Sequence, residues 1–144
     1  MDNSAHYRKL EQMYLSAPIN AFYEPEITVS EGEAKVTMKV QEKFFHAAHA
    51  LHGAVFFKML DDAAFFAANS VVTDHFVITS EFHLHFLRPI KKGTITSIGK
   101  LLLPSKNLFV AEARLYDDDE NEMAFGSGSF VKSKLSLDSG IGYS

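Results

Sequence analysis

The chain contains no cysteine and no tryptophan. Without cysteine there can be no disulfide, no thiolate metal site and no cysteine nucleophile. That composition is compatible with a reducing compartment. Basic charge is also scarce: 14 Lys and Arg stand against 18 Asp and Glu, a net charge of −4. No basic stripe or patch is present, so no nucleic-acid partner is expected. Long apolar runs are lacking, because Lys58, Asp61 and Asp62 interrupt the longest one. No membrane-spanning segment is therefore expected. The N-terminal MDNSAHYRKLEQMY is polar and has no apolar run like that of a signal peptide. These absences together lead to the expectation of a soluble, cytoplasmic protein. A Gly-x-Ser-x-Gly elbow is missing too, which argues against a serine hydrolase. With no internal repeat or linker, 144 residues read as a single domain.

What the chain does have is apolar bulk. Hydrophobic residues make up 47%, and 13 of the residues are Phe. Ser4 is placed to cap a first helix running to about Ser16, with Leu10, Met13 and Tyr14 as its apolar stripe and Pro18 after its end. Glu26 to Ser30 and Glu33 to Val40 read as strands around a Ser30-Glu31-Gly32-Glu33 turn. Ala34, Val36, Met38 and Val40 share one face of the second strand. Gln41 to His52 reads as a loop. Gly53 to Ser70 is too long for a buried strand and reads as a helix buried on most sides.

Four strands follow: Val77 to Leu87, Thr94 to Leu103, Leu108 to Tyr116 and Glu122 to Lys132. The turns are Lys91-Lys92-Gly93, Pro104 to Asn107, and an acidic tip, Asp117 to Asn121. In the first strand Phe82, Leu84 and Phe86 alternate with Glu81, His83 and His85. The Ser- and Gly-rich tail, residues 133 to 144, reads as flexible. One long helix needs a curved sheet around it to bury its faces. The expected fold is α+β, an antiparallel sheet wrapped around a central helix, with an extra N-terminal helix.

Two adjacent aspartates, Asp61 and Asp62, sit inside that central helix. Burying an unpaired carboxylate costs several kcal/mol, roughly. Helical spacing gives Asp62 a partner, because Lys58 lies four residues before it. Asp61 has none within the helix and shares its face with Phe57, Ala64, Phe65 and Ala68. It is the better candidate for a functional carboxylate, against the plainer reading that it pairs across a loop or an interface. His52 and Gly53 mark the start of the helix, where free N–H groups and a positive dipole end can hold a developing oxyanion. Eight residues at 1.5 Å rise separate Gly53 from Asp61 by about 12 Å. If both groups serve one reaction, the carboxylate should come from a second copy of the helix.

HGAVFFKMLDDAAFFAA resembles the signature of the hotdog-fold acyl-CoA thioesterases of the phenylacetyl-CoA (PaaI-like) family. That signature is His-Gly-Gly, then an Asp nine residues after the His. His52, Gly53 and Asp61 match it, and Ala54 replaces the second glycine. The resemblance continues through EFHLHFLRPIKKGTI and the Gly-x-Gly ending of DDDENEMAFGSGSF, covering roughly Glu24 to Lys132. It implies a hotdog fold, a homodimer or dimer of dimers with sites at the subunit interface, and hydrolysis of a thioester to a free acid and CoA. It implies that the Gly53 N–H polarises the carbonyl and that Asp61 of the facing subunit acts as base or nucleophile. A family Asn falls at His46, where a histidine could also hold water. A hydroxyl that assists the water falls at Thr79, with Ser80 beside it.

Ala54, Phe57 and Phe65 are candidates for the acyl site, while Arg88 and Lys91 could meet CoA phosphates. Most of the Phe residues are equally well read as core, and the Arg and Lys as turn solubility. No cofactor is implied, since CoA is part of the substrate. The three-residue spacing of His46, His49 and His52 raises a metal site, but such spacing gathers ligands only on a helix, and none is expected there. A hydratase would need a different arrangement around a catalytic His. The remaining alternative is a hotdog protein that binds acyl-CoA or acyl carrier protein without hydrolysing it.

Overall fold

The computed structural model describes residues 2–144. Helix α1 is Ser4–Ser16, and its first turn differs from the expected cap. Asn3 holds the cap position, and the Asp2 carboxylate accepts the Ser4 N–H at 2.9 Å. Ser4 is thus the first helical residue rather than the cap. His6, Leu10, Met13 and Tyr14 form the buried face of α1. A single turn, α2 (Asn20–Tyr23), follows and was not foreseen. Four residues are too few to show a helical period, and Glu24, at φ 54°, ends the turn.

Six strands form one antiparallel sheet in the order β1-β2-β4-β5-β6-β3. They are β1 (Glu26–Ser30), β2 (Glu33–Lys39), β3 (His75–Phe86), β4 (Thr94–Pro104), β5 (Leu108–Tyr116) and β6 (Glu122–Ser136). The loop before the central helix contains a 3-10 turn, Glu42–Phe44. Helix α3 (Gly53–Asn69) lies across the sheet, which curves around it as the hotdog fold requires. Met59, Leu60, Ala63, Ala64, Ala67 and Ala68 are fully buried against it. The small alanines among them allow close approach, and Gly99 of β4 shows how close. A Cβ at Gly99 would stand 2.2 Å from the Ala63 carbonyl oxygen.

The two sheet edges are treated differently. At β1, α1 covers the edge: Arg8 donates to the Val29 carbonyl and Glu11 accepts the Val29 N–H, both at 2.7 Å. At β3, among the described residues, no strand lies on the outer side. That strand also carries a bulge, because Thr79 pairs with Phe130 and Glu81 with Ser129, leaving Ser80 extra. The bulge changes the parity of the strand. Val77 and Thr79 face α3 before it, and Phe82 and Leu84 do so after it.

Strand β6 runs four residues past its expected end at Lys132. The residues beyond it, read from their composition as a flexible tail, fold back onto α1. A 3-10 turn, Ser139–Ile141, is capped by Asp138, and Tyr143 reaches the His6 ring with its hydroxyl 2.7 Å from Nδ1. Apolar Leu137, Ile141 and Tyr143 pack against the core and anchor the segment. Among the described residues, no helix is long and apolar enough to cross a membrane.

Candidate active site

Helix α3 carries both halves of the site, at different ends. At its start, the extended His52 caps the helix, and its Nδ1 accepts the Ala54 N–H at 2.9 Å. The Val55 N–H is taken by the His52 carbonyl. Among the described residues the Gly53 N–H has no hydrogen-bond partner. It opens on a cleft of about 370 Å³ lined by His46, Phe56, Phe86, Arg88 and Pro89. A Cβ at Gly53 would come within 3.2 Å of the Phe86 ring, so glycine keeps the approach open. His46 lies beside this cleft, exposed, with its Nδ1 accepting the Ala48 N–H at 3.0 Å.

Two turns further along, Asp61 is half-buried. Its Oδ1 accepts the Thr79 hydroxyl at 2.9 Å, a bond aimed by the stretch of β3 that precedes the bulge. Burial pushes the Asp61 carboxyl up to about 6, and the neighbouring Asp62 adds to the rise. The Thr79 hydrogen bond and the Lys58 charge work against it. Asp62 has the expected Lys58 partner at 2.7 Å. It is also largely covered by α1, whose Tyr14 hydroxyl donates to the same Oδ2 at 2.6 Å. Burial pushes the Asp62 carboxyl up as well, with Lys58 and Tyr14 opposing.

Both aspartates line a cavity of about 600 Å³. Its apolar wall includes Met13, Phe65, Phe66, Phe76, Leu135 and Ile141. Much of that wall comes from the chain termini, residues 13–20 and 135–142. The structure therefore brings Asp61, Thr79 and Phe65 together in one cavity, and Gly53, His46 and Arg88 in another.

The other residues singled out in the sequence lie apart from these groups. Ser80 is the exposed bulge residue, bonded to the Ser129 carbonyl at 3.1 Å. Phe57 is 38% exposed and packs edge-on against Phe82. Ala54 is exposed at the helix start. Lys91 lines a third cleft beside Asp117, Asp118 and Asp119, whose negative charge suits a phosphate poorly. Nothing in the spacing of the chain pointed to Tyr14 or Ile141 at the site. Tyr14 lies 48 residues from Asp62 and was readable only as part of the α1 stripe.

A curved antiparallel sheet around one helix, with a helix-start amide and a half-buried carboxylate on that helix, defines the hotdog class. The thioesterase superfamily model matches residues 48–124, and the chain belongs to that family. A "Putative esterase" of Saccharolobus solfataricus is 26% identical over 131 residues, covering 90% of each chain. The Escherichia coli PaaI protein of the phenylacetic acid degradation operon superposes with a TM-score of 0.83 at 22% identity, covering 92% of this chain and 96% of its own. A thioesterase of Haemophilus influenzae gives 0.79 at 18% identity, covering 92% and 93%. The family assigns the chain a thioesterase-type hydrolase function.

Proposed function

We propose that the protein hydrolyses acyl-CoA thioesters as a homodimer, or dimer of dimers, with Asp61 as general base. The observation that carries this reading is the separation of two complementary groups on α3. An unpartnered amide stands at Gly53, and a half-buried carboxylate held by Thr79 stands about 12 Å further along. One chain cannot bring both to one carbonyl, whereas two antiparallel copies of α3 can. The uncovered edge of β3 is available to join such copies into a continuous sheet.

In this reading the acyl group enters the cavity beside Asp61, and the carbonyl oxygen accepts the Gly53 N–H of the second copy. Asp61 Oδ1 is held by Thr79, so Oδ2 takes a proton from water as the water oxygen bonds to the carbonyl carbon. The oxyanion of the tetrahedral intermediate rests on the helix-start amide. Its collapse breaks the C–S bond, and the sulfur receives the proton from Asp61. Free acid and CoA thiol leave, and no further cofactor is needed. Arg88 lies on the Gly53 side, where the CoA portion would emerge, and can meet its phosphates. His52 acts here by capping the helix that presents Gly53, and His46 stands at the same mouth.

The test is thiol release from a panel of short, medium and aromatic acyl-CoAs, with wild type and Asp61→Asn compared. Turnover by wild type with a loss of about 10² or more in the folded variant supports the reading. Binding without turnover by wild type would favour a non-catalytic acyl-CoA or acyl-carrier-protein binder.

A further inference from the structure

A largely enclosed ion pair stands beside the proposed base and is not part of the hydrolytic step. Lys58 and Asp62 are 2.7 Å apart, with side chains only 12% and 18% exposed. Lys58 also lies over the rings of Tyr14 and Tyr23, at 5.2 and 5.1 Å. Asp62 takes both Lys58 and the Tyr14 hydroxyl on one oxygen. A pair so enclosed is costly to desolvate and is weak evidence for stability by itself. Tyr14 and Tyr23 lie outside the segment that matches the family, so α1 and α2 build this enclosure independently of it.

The arrangement matters because Asp61 is the next residue. Two adjacent carboxylates sharing a poorly solvated cavity cannot both ionise freely. A cation bonded to one of them, Lys58 on Asp62, changes that balance. We propose that Lys58, Asp62 and Tyr14 form a charge-balancing cluster in which Lys58 offsets the Asp62 carboxylate beside the proposed base, Asp61. This role rests on the reading of Asp61 given above.

The groups facing Asp61 are few. From α3 they are Lys58 and Asp62, and from α1 Tyr14; from β3 the Thr79 hydroxyl faces it. The C-terminal turn adds Gly140, Ile141 and Gly142 to the cavity wall, with no charge. A second copy would bring its own His46 and His52 equally to wild type and variants, so differences between variants isolate the cluster. Lys58 lowers the proton affinity of Asp61 and Asp62 raises it. Removing them should therefore have opposite effects.

Lys58→Met should move the acid limb of the kcat/KM profile up by about one pH unit, and Asp62→Asn should move it down. The double variant K58M/D62N should return it near the wild-type position, and Lys58→Arg should leave it there. Carbon NMR titration of the Asp61 carboxyl in the same proteins reads the same shifts without substrate. Opposite shifts that cancel in the double variant support the proposal. Reduced kcat with an unmoved limb, or shifts in the same direction, would overturn it and leave the cluster as packing alone. Retained turnover in Asp61→Asn is a separate failure: it removes Asp61 from the reaction even if the carboxyl titrations shift as described.

Discussion

The two ends of α3 solve different problems. Its start is open: a glycine, a free amide, and a histidine that satisfies the next N–H. Backbone geometry alone supplies the proposed oxyanion donor there, and only the absence of a side chain is needed. Its middle is enclosed: a carboxylate that solvation would favour is held against phenylalanines by a threonine from β3 and screened by a lysine one turn earlier. Four parts of the chain must meet to build that environment. The comparison shows why an amide can be placed by one local motif while a tuned carboxylate needs the whole fold.

The largest expected effect is at the enclosed end. Asp61→Asn should cut kcat by about 10²–10⁴. It should also stabilise the fold. Asp61 titrates near 6 in the folded chain against 3.8 ordinarily, so the folded state holds its proton more tightly than the unfolded one. Stability therefore falls as pH rises between these values, and the deficit is complete above about 6. Removing the charge should recover up to ~3 kcal/mol at pH 7 and much less at pH 4, as urea unfolding at both pH values will show. Activity, conversely, should rise with pH through about 6 as the base ionises.

At the open end, Gly53→Pro removes the one N–H, and its ring presses on the Phe86 side chain, which must shift slightly. Proline is favoured at the first helical position, and the preceding His52 is already extended at ψ 142°. The loss should be about 10²–10³ in kcat with the helix retained by circular dichroism. Gly53→Ala, which keeps the N–H, should lose much less. Mixing the two dead proteins sharpens the comparison. A mixed dimer of Asp61→Asn and Gly53→Pro has one site with both groups intact, so activity should return after subunit exchange. No return would mean that the two ends do not serve one site.

Much of the architecture was legible because it depends on periodicity and turns. Strands β1, β2, β4 and β5 lie within a residue or so of where alternation places them. Gly53 and Asp61 were singled out through a motif. The environment of Asp61 was only partly legible. Helical spacing pairs Asp62 with Lys58, but nothing near either residue signals Tyr14, which arrives from a helix 48 residues away. The bulge at Ser80 has no distinct local signature, yet it decides that Thr79 reaches Asp61 and Ser80 does not. The tail looked mobile because Ser and Gly dominate it, while its anchoring rests on Leu137, Ile141 and Tyr143 meeting a surface that only the fold creates.

A smaller effect is expected at the hydrogen bond that joins β3 to α3. Thr79→Val keeps the shape and removes the donor. Asp61 then loses a bond that favours its charged form, so the acid limb should rise by about one pH unit, in line with ~1.5 kcal/mol for a bond to a charged group. At neutral pH the rate should drop only modestly. A loss as deep as that of Asp61→Asn would mean that the hydroxyl touches the water itself.

The smallest effect concerns the wall of the enclosed end. Tyr143 pins the C-terminal turn to His6, whose Nε2 is 3.0 Å from the Asn69 carbonyl. That contact links the turn to α1 and to the end of α3. Tyr143→Phe leaves the buried His6 Nδ1 without its partner, at a cost of about 1 kcal/mol in unfolding. Burial holds the His6 ring below its ordinary value of 6.5, so the clasp weakens as pH falls through that value. Because Ile141 and Gly142 line the cavity beside Asp61, a loosened turn should also admit bulkier acyl groups. The ratio of kcat/KM for long over short acyl-CoAs should then rise while the pH profile stays in place. If the ratio does not move, Leu135 on β6, rather than the turn, sets the size of the chamber.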